Sequence, residues 1–271
     1  MRGLRGKLGL VAIVADISLM LNGCVTGVVD LDDDFDHSGK VEVSAHFTRT
    51  LDLDDQASIR VTGANGSIRI WGIPGAQEIV VDAERTVRSD TRRDAEAHLP
   101  DVQVLAEARQ YEFEIKTVQP THTHGRTYVV DYEITVPAHL LTSIANGNGS
   151  IRVEGVGADV NVTNGNGDVA LVDVEGSSWI SVGNGEISAW TFLPPGGQIV
   201  HSIGNGTLFL EVQPEVSASF GAKVGNGIIN VSGLDLSQTV ATPRQIQGIL
   251  GSGNGLIDLS AGNGQIRVQG G

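Results

Sequence analysis

Asn148-Gly149-Ser150-Ile151-Arg152-Val153 is followed eighteen residues later by Asn166-Gly167-Asp168-Val169-Ala170-Leu171, and then by Asn184-Gly185-Glu186-Ile187-Ser188-Ala189. The three read as copies of one unit: an Asn-Gly turn signal, then an apolar-x-apolar triplet. Aligning the whole chain on that signal finds eight anchors, Asn65, Asn148, Asn166, Asn184, Asn205, Asn226, Asn254 and Asn263. All but Asn65 stand in Gly-Asn-Gly, and from Asn148 onward the spacings are 18, 18, 21, 21, 28 and 9. A fixed period of this size marks a repeat architecture.

Three and five residues beyond the anchors lie Ile68/Ile70, Ile151/Val153, Val169/Leu171, Ile187/Ala189, Leu208/Leu210, Ile229/Val231, Ile257/Leu259 and Ile266/Val268. Every one is apolar, while the residue between each pair is mostly polar, which is the period-2 signature of a half-buried strand. A second strand fits most units, as in Val160-Asn161-Val162, Ile180-Ser181-Val182 and Ala222-Lys223-Val224. Each unit thus predicts two short strands and two turns. Glycine supplies the backbone freedom for a sharp corner and Asn tolerates it. If such corners stack, their amides can hydrogen-bond along the column.

Two architectures satisfy this pattern. In an antiparallel meander each Asn-Gly is a hairpin turn; in a β-solenoid each unit is one coil, paired in parallel with the next. The three-residue corner and the constant apolar phase behind it favour an all-β solenoid of 18–21-residue coils with Gly-Asn-Gly corners. The 28-residue gap predicts an excursion around Thr242-Pro243-Arg244, and the final 9-residue gap a half coil. Between Asn65 and Asn148, residues 77–87, 102–106, 111–118 and 127–136 read as strands. Residues 91–99 read as the one plausible helix, stopped by Pro100. The organisation expected is 1–23 signal peptide, 24–40 acidic tether, 41–145 a β-rich N-terminal lobe holding the first repeat, and 146–271 the solenoid.

Thr62-Gly63-Ala64-Asn65-Gly66-Ser67-Ile68-Arg69-Ile70-Trp71-Gly72, Tyr132-Glu133-Ile134-Thr135-Val136-Pro137 and Asn148 to Gly155 together resemble a group of bacterial envelope proteins. This is the "putative-adhesin", β-strand-repeat family, a domain of unknown function, and the resemblance covers roughly residues 40–269. It implies a β-solenoid-like fold in secreted or membrane-anchored proteins and brings no catalytic residues. At the other end, Arg2, Arg5 and Lys7 precede an apolar run from Leu8 to Leu21, too short to span a bilayer as a helix. The following Leu21-Asn22-Gly23-Cys24 resembles the lipobox of bacterial lipoproteins, although Asp16 and Asn22 depart from the usual pattern. That resemblance implies cleavage after Gly23, lipidation of Cys24 and stable anchoring through two acyl chains. Val25 in place of Asp implies the outer membrane.

Composition narrows the chemistry. Of 271 residues 36 are Gly and one is Cys, and the net charge is −14. One Cys excludes an internal disulfide framework and multi-cysteine metal sites. Net acidity argues against a nucleic-acid partner. Asp30, Asp32 and Asp34 have EF-hand-like spacing, but Phe35 replaces the turn Gly and Val41 the terminal Glu, so the run reads as a solvated tether. Just behind the corners, Asp168 and Glu186 fall one coil apart, a candidate binding or general acid/base pair if carboxylates at that separation are used as in glycosidases. Only Asp168 fits a calcium-roll motif, so no metal or other cofactor is implied. His122 and His124 share one face of a polar segment without further ligands nearby, and His201 falls at an inward phase. Trp71, Trp179 and Trp190 could stack on sugars, though capping a coil edge is the simpler reading.

The function expected is a non-catalytic, lipid-anchored envelope protein, adhesin-like or scaffolding, held to the membrane by Cys24 and facing an envelope protein or polysaccharide. The competing expectation is a carbohydrate-binding or carbohydrate-cleaving β-helix using Asp168, Glu186 and the tryptophans. A regulatory partner in an envelope signalling system is a third.

Overall fold

Alternating apolar and polar residues make strands over most of the described residues, and in the longest strands the burial phase switches at Gly-Asn-Gly. A computed structural model of the chain describes residues 40–271; Cys24 and the acidic segment before Lys40 lie outside the described residues. In order come β1 (Val41–Asp52), β2 (Ser58–Thr62), β3 (Ile68–Ile73), β4 (Glu78–Ser89), α1 (Arg92–His98), β5 (Gln103–Ala108), β6 (Glu112–Val118) and β7 (Thr127–Pro137). Then follow β8 (Leu141–Asn148), β9 (Ile151–Glu154), β10 (Val160–Asn166), β11 (Val169–Val174), β12 (Ser178–Thr191) and β13 (Gln198–Val212). The last are β14 (Ala218–Ser232), β15 (Leu236–Thr242), β16 (Gln245–Leu250) and β17 (Gly255–Gly270). The described residues are thus all-β apart from one short helix and a 3-10 turn. The strands form one 17-stranded sheet, nearly closed and barrel-like.

That sheet has two arms. One runs β5-β6-β2-β8-β10 and on through the first halves of β12, β13, β17 and β14 to β16 and β15. The other runs β1-β4-β7-β3-β9-β11 and on through the second halves of β12, β13, β17 and β14. From β2/β3 to β14 every rung pairs in parallel, so neighbouring repeats do not form a meander. Antiparallel strands cover both ends: β5, β1 and β4 at one, the β15–β16 hairpin at the other.

Burial parity shows what happens where the arms meet. In β13, Ile199, His201 and Ile203 are buried, then Leu208, Leu210 and Val212. Odd numbers give way to even across Gly204-Asn205-Gly206. The same switch occurs in β12, β14 and β17. In these four strands the backbone stays extended and hydrogen-bonded through the signal, whereas the units at Asn65, Asn148 and Asn166 are pairs of strands, β2/β3, β8/β9 and β10/β11, as the sequence predicts. Both sets of aliphatics therefore face one interior, and a single hydrophobic cluster runs from Val43 to Val268. Each fully buried Ile, Leu or Val in it contributes about 1.5–3 kcal/mol.

The helix and the strands β4 to β7 fall where the sequence places them, while β1 has no counterpart in the sequence reading. Thr91 caps α1 by accepting from the Asp94 N–H at 3.3 Å, and Asp94 binds the Arg126 guanidinium through two 2.7 Å contacts. Because β2 and β3 pair with β8 and β9, this segment continues the same ladder. Positions 145 and 146 both lie within β8.

The C-terminal end differs from the sequence expectation. After β14 the β15–β16 hairpin folds back along it, and β17 then inserts between β13 and β14 as a complete rung. Asn254 does not sit at a bend but in the connection ahead of β17, and no half coil is formed. The short spacing misleads because Asn254 precedes the first arm of β17, whereas Asn263 marks its bend.

A Cβ on Gly206, whose φ is +140°, would overlap the Gly185 carbonyl oxygen; Gly75 is also left-handed (φ +75°) but has open space around it. Gly206→Ala should therefore destabilise the protein by about 3 kcal/mol or more, against about 1–2 kcal/mol for Gly75→Ala. Urea unfolding of both variants checks this; equal losses would show that the bend tolerates a side chain.

Candidate functional site

Seven of the eight anchoring asparagines form one exposed column. Asn226 donates its Nδ2–H to Asn263 Oδ1 at 2.8 Å, and Asn263 to Asn205 at 2.7 Å. Asn205 donates to Asn184, Asn184 to Asn166, Asn166 to Asn148 and Asn148 to Asn65, each at 2.8 Å. Asn65 ends the column by donating to the Tyr128 carbonyl at 3.2 Å. All six amide–amide bonds point the same way. Sequence reading missed a second, inner pair: Asn164 donates to the Gly149 and Gly167 carbonyls, and Asn146 to those of Gly66 and Asn148. The doubled Asn-Gly-Asn-Gly at 146–149 and 164–167 was the available signal.

Asp168 and Glu186 are neighbours across adjacent rungs, and both are exposed. Asp168 Oδ1 accepts the Glu186 backbone N–H at 2.9 Å, while Glu186 Oε1 accepts from the Ser188 hydroxyl at 2.7 Å. Asp131 makes the equivalent bond to the Ser67 N–H at 2.7 Å. These carboxylates close the backbone beside the bend. The column behind the bends reads Ser67, Ser150, Asp168, Glu186, Thr207, Gln265, Ile228; Leu256 is not part of it.

His122 and His124 lie in the exposed connection between β6 and β7, with ring centroids 6.4 Å apart. Among the described residues no group of three His, Cys, Asp or Glu side chains gathers as a metal site would require. His201 is fully buried; its Nε2 meets the Ser178 hydroxyl at 2.8 Å and its Nδ1 has no partner. Burial pushes its pKa down to about 3.

The tryptophans neither form one platform nor cap an end. Trp71 and Trp190 belong to the outer face of the second arm, separated by Glu154 and Val172. Trp190 is 38 % exposed and packs at 5.7 Å between centroids against Phe209. Trp179 lies ahead of the bend and between the buried Ser178 and Ile180, so it stands on the outer face of the first arm, midway along the ladder.

Around Trp179 lies an open cleft of about 330 Å³, lined by Arg60, Glu112, Leu141, Ser143, Asp159 and Asn161 among others. Arg60, Ser143, Asn161 and Trp179 form one row in register across β2, β8, β10 and β12. Arg60 is held by Glu112 through bonds of 3.1 and 2.9 Å. Among the described residues the Ser143 hydroxyl, the Asn161 amide and the Trp179 indole N–H have no side-chain partner. Arg60, Ser143 and Asn161 escaped sequence reading because outward positions of a strand carry no period of their own. The arrangement can hold a ligand by stacking and hydrogen bonding.

No family model matches the chain, and no curated protein matches it. Solved structures do. A "putative cell adhesion protein" from Clostridium sporogenes superimposes with a TM-score of 0.50 at 11 % identity, over 84 % of this chain and 100 % of that one. A "putative adhesin" from Bacteroides fragilis matches at 12 % identity over 82 % and 96 % of the two chains, TM-score 0.34. A "putative lipid binding protein" from Parabacteroides distasonis matches at 11 % identity over the same shares, TM-score 0.28. The first of these shows a shared fold, so the expectation of an all-β architecture has a structural counterpart.

Asn184→Ala removes one donated and one accepted amide bond from the column, and should cost about 1–2 kcal/mol in urea unfolding. Asn254→Ala, outside the column, should be near neutral. His201 stays neutral in the fold while the unfolded chain protonates it below about pH 6.5. Its contribution is therefore whole above that pH and declines by roughly 1.4 kcal/mol per unit as pH falls toward 3. Stability–pH curves of the parent and His201→Leu should diverge in slope over that window and run parallel above it.

Proposed function

We propose that this chain is a non-catalytic, lipid-anchored cell-envelope protein, adhesin-like or scaffolding, built as a β-solenoid whose Gly-Asn-Gly bends are the coil corners. The unbroken seven-residue amide column carries this reading. Parallel rungs in constant register make a stiff body with two broad outer faces, suited to presenting a surface rather than to closing around a substrate. The carboxylates best placed for chemistry, Asp168 and Glu186, are already engaged with the backbone and with Ser188. The anchor is Cys24, in a lipobox-like setting, and the run Asp30 to Asp36 would act as a solvated spacer ahead of β1. The membrane is the first partner and an envelope protein or polysaccharide the second; the site requires no cofactor.

A carbohydrate-binding role is the second reading, favoured by the cleft at Trp179. Cleavage is less well supported, because Asp168 and Glu186 lie beside the bend and do not line that cleft.

Metabolic labelling with tritiated palmitate in a bacterial host tests the anchor. Label is expected on the parent chain and absent from Cys24→Ala. An unlabelled parent, or equal labelling of both, would remove the anchor from the proposal.

A further inference from the structure

Across β8, β10 and β12 the outer face of the first arm carries less charge than that of the second; its rows become charged on either side, at Arg60, Glu114 and Lys116 and at Asp258 and Lys223. The second arm's face carries Arg69 with Glu133, Arg152 with Glu154, and Glu186 and Glu211 along its rows. The first arm's face offers Ser143, Asn161 and Trp179 in one row, and Thr62, Ala145, Thr163, Ser181 and Ser202 in the next. At a strand spacing of about 4.8 Å, the four rungs from β2 to β12 set polar groups at regular intervals over about 14 Å. Arg60 is neutralised by Glu112 at one end of the cleft. Asp159 spends one oxygen on the Ser177 N–H at 2.8 Å.

We propose that this cleft binds an uncharged glycan, laid along the ladder axis with one sugar ring against Trp179 and hydroxyls on Asn161, Ser143 and Asp159. The proposal rests on the reading of the protein as a non-catalytic contact surface and names what one face contacts. Three features select the ligand class. An extended peptide adds to a sheet through free backbone groups at an edge, but β8 and β10 have a neighbour on either side. A polyanion would meet a net charge of −14. An acyl chain needs an enclosed apolar cavity, whereas this cleft is open and sets hydroxyl, amide and ionic groups beside its apolar lining. A sugar presents an apolar ring face together with hydroxyls, and an amphipathic aromatic beside unpaired donors and acceptors answers both.

Affinity electrophoresis of the full chain, solubilised in detergent, through gels containing laminarin, xylan, mannan or glycol chitin tests the proposal, with heparin as the charged control. At least one neutral polysaccharide should retard the parent, and heparin should not. Trp179→Ala should weaken that retardation at least tenfold, Trp179→Phe should restore much of it, and Asn161→Ala should weaken it severalfold. Trp190→Ala, on the opposite arm, should migrate as the parent does. Denaturation midpoints of each variant confirm that it is folded. Failure of every neutral polysaccharide to retard the parent would overturn the proposal, as would retardation unchanged in both Trp179→Ala and Asn161→Ala, or retardation by heparin alone. None of these outcomes touches the envelope reading, which palmitate labelling of Cys24 decides separately.

Discussion

The interaction on which the rest of the molecule depends is backbone against backbone at the bends. Gly204 and Gly206 approach the carbonyls of Gly183 and Gly185 so closely that neither could carry a Cβ. That approach sets one rung directly over the next, and everything else follows from the alignment. Asparagine amides meet end to end, aliphatics on both arms fall into one interior, and the outward rows stay in register. An individual amide bond at an exposed position contributes about 1 kcal/mol, so the column supports the alignment more than it creates it. The hydrophobic interior supplies most of the stabilisation, and the glycines decide which arrangement receives it.

Much of this was legible in the sequence because two signals coincided. Gly-Asn-Gly marked the bends, and the apolar pairs behind each one marked the interior with a period that a helix could not produce. The strands from β4 to β7 and α1 were equally plain, with Thr91 and Pro100 bracketing the helix, whereas β1 went unread. What failed did so for physical reasons. Spacing along the chain cannot report the order of rungs in space, so β17, far from Asn205 in sequence, was not seen as its neighbour. Asn254 has the same flanking glycines as the true bends, but it stands ahead of β17 and its side chain takes no place in the amide column. The bent strands also looked like pairs of shorter ones, since positive φ at a glycine suggests a turn even where the ladder continues through it.

The candidate site was less legible. Outward side chains are chosen for solvent or for a ligand, and neither choice leaves periodicity. Trp179 was visible as a residue, yet its separation from Trp190 depends on the bend at Asn184, which places two tryptophans of one strand on different arms. Asp168 and Glu186 drew attention as paired acids. In the fold the first answers a backbone N–H beside the bend and the second a serine hydroxyl, which gives both a structural use. A shared architecture with the clostridial protein at 11 % identity fits this picture. Bends and interior are constrained by the backbone, while the exposed rows can drift without disturbing it.

The placement of β17 carries a consequence for how the molecule is completed. β17, the last strand of the described residues, is an inner layer, held between β13 and β14 rather than resting on an end. A chain emerging from its N-terminus can assemble rungs in order only as far as β13. The outermost rung, β14, and its hairpin must then wait, unseated, until β17 arrives and is threaded beneath them. Shortening that segment would open a slot inside the body instead of trimming its tip.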